Sequence, residues 1–243
     1  MKYIISVILI FNISAVNANE IFNLLKIPNL EIYNMNSLNG LKYLYTKNNF
    51  KIGVKNNISC DKSKKNKLDE KYLIVEKNLN KYEADFLIKN NLKFIILCEN
   101  LTISSISTGG VPNILKRSLI LDINFNHKHF ERMIHHEFFH MIHAKHSQIF
   151  DETLWSKFNK TSFKYAECST CSDRTDLSLY KDTDGFLTEY SKSIPSEDMA
   201  EIFSFLMTNR ELVKKKVDDD LILKNKVNYI EKNLRLIDNN FIF

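Results

Sequence analysis

Four of the chain's seven histidines fall within nine positions, residues 135–143, in the run HHEFFHMIH. Neutral imidazoles ligate metals, and protonated ones repel each other, so crowding them needs a reason. Inside the run, His136-Glu137-Phe138-Phe139-His140 has the form H-E-x-x-H. Residues four apart on an α-helix differ by ~40° in azimuth and ~6 Å along the axis, so both imidazoles can reach one ion. Glu137 projects one step round, where it can contact a water at the metal instead of the metal itself.

Two histidines leave the ion short of ligands. His143 lies on the same helical face, but three ligands along a straight helix cannot close round one tetrahedral ion. No glycine occurs between His140 and Asp184 to break the helix, so His143 is expected to be packed or hydrogen-bonded. The stretch IPSEDMAEIFSFLM, residues 194–207, places Glu197 and Glu201 four apart on one helical face. Glu197 suits a third ligand, and Glu201 suits an acceptor behind a ligand imidazole, fixing its tautomer. A solvated pair of carboxylates at a helix start is the plain alternative; the apolar run after Glu201 argues against it.

In both motifs together, the chain resembles the gluzincin branch of zinc metallopeptidases. Residues 186–207, FLTEYSKSIPSEDMAEIFSFLM, are similar to the second motif of a bacterial family of zinc-binding metallopeptidases. The spacing is also similar to that of the catalytic domain of anthrax toxin lethal factor. The resemblance spans residues 92–208 and implies an α+β, zincin-like metallopeptidase fold. In it a small mixed sheet accompanies an active-site helix carrying H-E-x-x-H and a C-terminal helical part. It further implies Zn²⁺ held by His136, His140 and Glu197, with Glu201 behind a ligand histidine and Glu137 as general base. Tyr190, seven residues before Glu197, takes by resemblance the role of donor to the oxyanion; a core tyrosine is the alternative. The implied activity is endopeptidase hydrolysis of a protein or peptide by a zinc-activated water. The strand in ILKRSLILDI, residues 114–123, resembles the edge strand that pairs with an extended substrate. A non-catalytic binding or adhesion module with structural zinc is the rival, although structural sites usually have four protein ligands.

These residues need elements to hold them. Residues 127–146 have the apolar spacing of a helix, and Pro195 followed by Glu197 and Asp198 marks another helix start. Further helical stretches are expected to complete the C-terminus. LKFIILC, residues 92–98, reads as a buried strand and residues 114–123 as a second; between them Gly109, Gly110 and Pro112 read as a turn or irregular edge. Residues 79–90 read as a helix, residues 21–57 as a helix and hairpin, and the lysine-rich run at 62–67 as an exposed loop. Strands first and helices later suggest α+β. Residues 91–243 are the expected catalytic domain; residues 19–90 have no assigned role and can belong to the same domain.

Composition narrows the class. The chain has 243 residues, 44% hydrophobic and 12% aromatic, with five glycines and three prolines. This suits a globular protein with one sizeable core. A net charge of +5 is spread over short lysine runs without interleaved aromatics, so a nucleic-acid partner is not expected. Residues 1–18 read as a secretory signal peptide with cleavage after Ala18. Their apolar run is too short for a bilayer core of ~30 Å, no later segment spans, and no cysteine near the cleavage site offers a lipid anchor. The expected location is secreted or periplasmic. Four cysteines in an exported chain permit disulfides, with Cys60–Cys98 and Cys168–Cys171 the preferred pairing.

Overall fold

The computed structural model describes residues 30–243; the expected signal peptide lies outside them. Eight short strands make one mixed sheet: β1 (Leu30–Asn34), β2 (Lys42–Thr46), β3 (Phe50–Ile52), β4 (Ile58–Asp61), β5 (Phe94–Ile103), β6 (Ile106–Ser107), β7 (Gly110–Asn113) and β8 (Ser118–Asp122). Six α-helices accompany them among the described residues: α1 (Lys65–Leu79), α2 (Ala84–Lys89), α3 (His127–Lys145), α4 (Glu152–Ser156), α5 (Pro195–Asp219) and α6 (Leu221–Ile237). The class is α+β, as expected.

The long strand β5 organises the sheet. Its first half lies between β2 and β8, parallel to both, and its second half pairs antiparallel with β4 and β6. Side chains of a strand alternate between faces, and β5 buries both. Ile95 and Leu97 join Leu119 and Leu121 of β8 beneath the helices. Phe94, Ile96 and Cys98 face the other way, with Ile120, Phe50 and Cys60. Burial on both faces explains why residues 94–98, FIILC, are an unbroken apolar run. The disulfides pair Cys60 with Cys98, joining β4 to β5, and Cys168 with Cys171.

Two sequence expectations change. The hairpin expected within residues 21–57 is β1–β2; the rest of the described part of that segment forms β3 and a short 3₁₀ turn, Val54–Asn56, and residues 21–29, on which the expected helix can fall, lie outside the described residues. The lysine run is a loop only to Lys64, because α1 starts at Lys65 and buries Leu68, Tyr72, Val75 and Leu79. Those four repeat at helical spacing, and Lys77 between them lies on the solvent side, while Lys71 is buried beside Tyr72. The helix expected over residues 79–90 is therefore split: Leu79 ends α1, and α2 is a separate short piece.

Helix α3 opens with Asn126, whose side chain accepts a hydrogen bond from the Lys128 amide at 3.0 Å. It then buries Phe130, Met133, Ile134, Phe138, Phe139, Met141 and Ile142. Apolar on almost every side, it must be central, and its histidines must find partners inside the protein. Its main neighbour is α5, which begins with Pro195 and carries Glu197 and Asp198 in its first turn.

Asp198 anchors that first turn. One of its oxygens accepts from Trp155 Nε1 at 2.8 Å, the Tyr165 hydroxyl at 2.6 Å and Lys226 Nζ at 2.7 Å. The Lys226 and Asp198 side chains have no exposure at all, and Lys226 also donates to the Gly185 carbonyl. Removing one partner of a buried pair leaves the other charge uncompensated. Lys226→Met is therefore expected to lower unfolding free energy by ~3–5 kcal/mol in a urea titration; an unchanged midpoint would show that the pair contributes nothing.

Candidate metal centre

His136 and His140 sit one turn apart on α3, and Glu197 reaches them from α5. His136 Nε2 and His140 Nε2 are 3.1 Å apart, and Glu197 Oε2 lies 2.8 Å from the first and 3.2 Å from the second. These side chains form a group able to hold a metal ion. Zinc–nitrogen and zinc–oxygen bonds of ~2.0–2.1 Å at tetrahedral angles set neighbouring ligand atoms ~3.3 Å apart. The observed triangle is close to that, so zinc fits with small adjustments.

Glu201, one turn after Glu197, stands behind His136. Its Oε1 accepts from His136 Nδ1 at 3.0 Å, which leaves the Nε2 lone pair facing the metal position. Its Oε2 accepts from the Thr188 hydroxyl at 2.9 Å and lies 3.5 Å from an Arg132 guanidinium nitrogen. Burial pushes the Glu201 carboxyl up, but the His136 hydrogen bond and the Arg132 charge outweigh it and hold it below its usual range. For His136, burial opposes protonation, yet hydrogen bonds and charges of Glu197 and Glu201 raise its pKa to about 10 without metal.

Glu137 is buried, and burial pushes its carboxyl up despite the nearby histidines. Tyr190 opens a 3₁₀ turn, Tyr190–Lys192, with its ring centroid 5.9 Å from that of His136. Burial, then the charges of Glu197 and Glu137, push its phenol well above the ordinary value. Both line a groove of about 720 Å³ that also contains His136, His140 and Glu197. A larger surface recess of about 860 Å³, beside residues 181–184 and 219–222, contains none of them.

The remaining histidines of the run have other partners. His135 is fully buried, taking a hydrogen bond from the Tyr82 hydroxyl at 2.5 Å and donating to Asn78 Oδ1 at 3.0 Å. Burial pushes its pKa well down, consistent with a neutral ring. His143 donates to the Phe150 carbonyl at 3.1 Å, outside the metal group.

Residues 110–238, more than half of the chain, match the model of a family described as "Putative zinc-binding metallo-peptidase". The chain belongs to this family. A crystal structure of a "putative zinc-binding metallo-peptidase" from Bacteroides caccae is similar over 70% of this chain and 70% of that one, with 19% sequence identity and a TM-score of 0.48. No curated protein matches the chain. The group at His136, His140 and Glu197 is the place in this family member where zinc binding fits.

One expectation about the groove is corrected. The strand within residues 114–123 is not at the edge: β8 is bonded to β5 on one side and to β7 on the other. The edge is β7, whose glycines and proline read in the sequence as a turn or an irregular edge; the edge is what forms. The Asp122 amide donates to the Gly109 carbonyl at 2.9 Å. By antiparallel alternation, Gly110 and Pro112 then turn their backbone groups away from β8. Pro112 thus loses no ladder bond by lacking an N–H, which is how an edge admits proline.

Arg132, Thr188 and Gly110 were missed by sequence reasoning. Arg132 carried a usable signal, lying four residues before His136 on the same helix face. Gly110 carried none, because its reason is a distant side chain: a Cβ there would lie 2.5 Å from Glu137 Cγ and 2.9 Å from its Cδ. Gly110→Ala is expected to cost ~1–3 kcal/mol through overpacking. Glu137→Ala in the same protein should recover most of that loss. Urea unfolding of the four proteins measures this, and strictly additive losses would exclude the clash.

Proposed function

We propose that this chain is an exported, zinc-dependent metalloendopeptidase. The observation that carries the reading is the meeting of three ligand atoms from α3 and α5 in a groove that also holds a buried Glu137. His136, His140 and Glu197 would hold the ion. Zinc, when bound, supplies Lewis acidity toward water and a substrate carbonyl.

The protein's own groups do the rest. Glu137 takes a proton from the attacking water and passes it to the leaving amine. Its raised proton affinity suits that exchange better than an exposed carboxylate would. Tyr190 donates a hydrogen bond to the oxygen that gains charge as the carbonyl is attacked, a contact worth most in the transition state. Glu201 fixes the His136 ring. An extended peptide aligns along β7, pairing with the outward backbone groups of Gly110 and Pro112. A non-catalytic zinc module is less well supported, because the group has three side chains where closed structural sites use four. Export is supported by the signal-like residues 1–18 and by two disulfides, which persist in oxidising compartments.

The test is hydrolysis of a diverse peptide library by zinc-loaded protein, beside two variants. Glu137→Gln should retain stoichiometric zinc and lose at least ~10²-fold in rate; undiminished hydrolysis would reject Glu137 as base. Tyr190→Phe should lower kcat by ~10²-fold with little change in KM. An unchanged kcat would make Tyr190 a packing residue.

A further inference from the structure

Arg132 is a buried cation beside the metal centre with no part in the proposed hydrolysis. It is 9% exposed, and both terminal nitrogens of its guanidinium have partners. One nitrogen lies 3.5 Å from Glu201 Oε2. The other donates to the Leu177 carbonyl at 2.8 Å and lies 3.3 Å from His129 Nδ1. The plane rests on the Phe205 ring, 4.0 Å from its centroid. A side chain held from three directions has its charge pinned in place.

The charges nearby explain why one is needed. Glu137, Glu197 and Glu201 are all buried beside the histidines. A divalent ion offsets two of those carboxylates, and a third negative charge remains in a poorly solvated place. Glu201 is also close enough to the metal position, through one imidazole, to be drawn toward an ion. Something has to hold it on the far side of the ring.

We propose that Arg132 is a positioning residue of the metal centre: it balances the third carboxylate and holds Glu201 behind His136, so that the imidazole, not the glutamate, faces the ion. The proposal rests on zinc binding at His136, His140 and Glu197, and requires no particular reaction. Thr188 holds the same Glu201 oxygen without charge, so it can orient the carboxylate but cannot compensate it. The charge is Arg132's own contribution.

Two variants separate this from packing. Arg132→Met keeps most of the apolar bulk and loses the charge; Arg132→Lys keeps the charge and loses the planar fork. Zinc affinity is measured by competition with a chromophoric chelator, and the visible spectrum of the cobalt-substituted protein reports ligand geometry. Arg132→Met is expected to weaken zinc by ~10–100-fold, the usual effect of losing a group that supports a ligand, and to alter the cobalt spectrum. Arg132→Lys is expected to recover most of that affinity. Wild-type zinc affinity in Arg132→Met, or an equal loss in both variants, would overturn the proposal. Thermal unfolding of the metal-free proteins shows whether packing alone has changed. If wild-type protein binds zinc and hydrolyses no peptide, the endopeptidase reading fails while this one stands.

Discussion

The site depends on one helix–helix contact, in which two rows of side chains interlock. On α3 the row is Arg132, His136 and His140; on α5 it is Glu197, Glu201 and Phe205. Each row steps by four residues, the spacing that keeps side chains on one face. Glu197 meets both histidines, Glu201 sits between His136 and Arg132, and Phe205 lies against Arg132. The helices therefore run antiparallel along this contact, and each acidic group of one row opposes a nitrogen-bearing group of the other. A one-turn slip would place Glu197 against Arg132 and leave His140 without a carboxylate.

Holding that register means burying charge, and the fold surrounds the contact accordingly. The sheet lies under α3 and supplies an apolar floor through Ile95, Leu97, Leu119 and Leu121. Asp198, next to Glu197 in the chain, is tied to Trp155, Tyr165 and Lys226. It faces away from the metal position and locks the first turn of α5 to α4 and α6. Neighbouring acidic residues thus do opposite work: Glu197 offers an oxygen to an ion, and Asp198 fixes the backbone from which it does so. A ligand carboxylate on a loosely held helix start would lose that alignment.

The edge strand β7 links this centre to the groove. The carbonyl and amide of Gly110 and the carbonyl of Pro112 face outward, and the missing Cβ of Gly110 gives Glu137 its room. A glycine that weakens a strand interior is here a condition for placing a carboxylate beside an extended chain. In the sequence the same glycine reads as a turn or an irregular edge, and the edge is what forms; local rules mark Gly-Gly and Pro as breakers but carry no information about a neighbour on another element.

Much of the centre was nevertheless legible. The spacing of His136 and His140, and of Glu197 and Glu201, follows from backbone hydrogen bonds that span four residues, so the sequence alone determined which groups share a face. The apolar residues of α3 and β5 determined by their periodicity that both elements are buried. The tertiary structure alone decided that Glu197, 61 positions beyond His136, arrives at the same point. It also decided that Arg132 faces Glu201, that β7 and not β8 forms the edge, and that residues 65–79 are a packed helix. Periodicity is a property of one segment, while register between segments is set by the packing of the whole core, which no single stretch encodes.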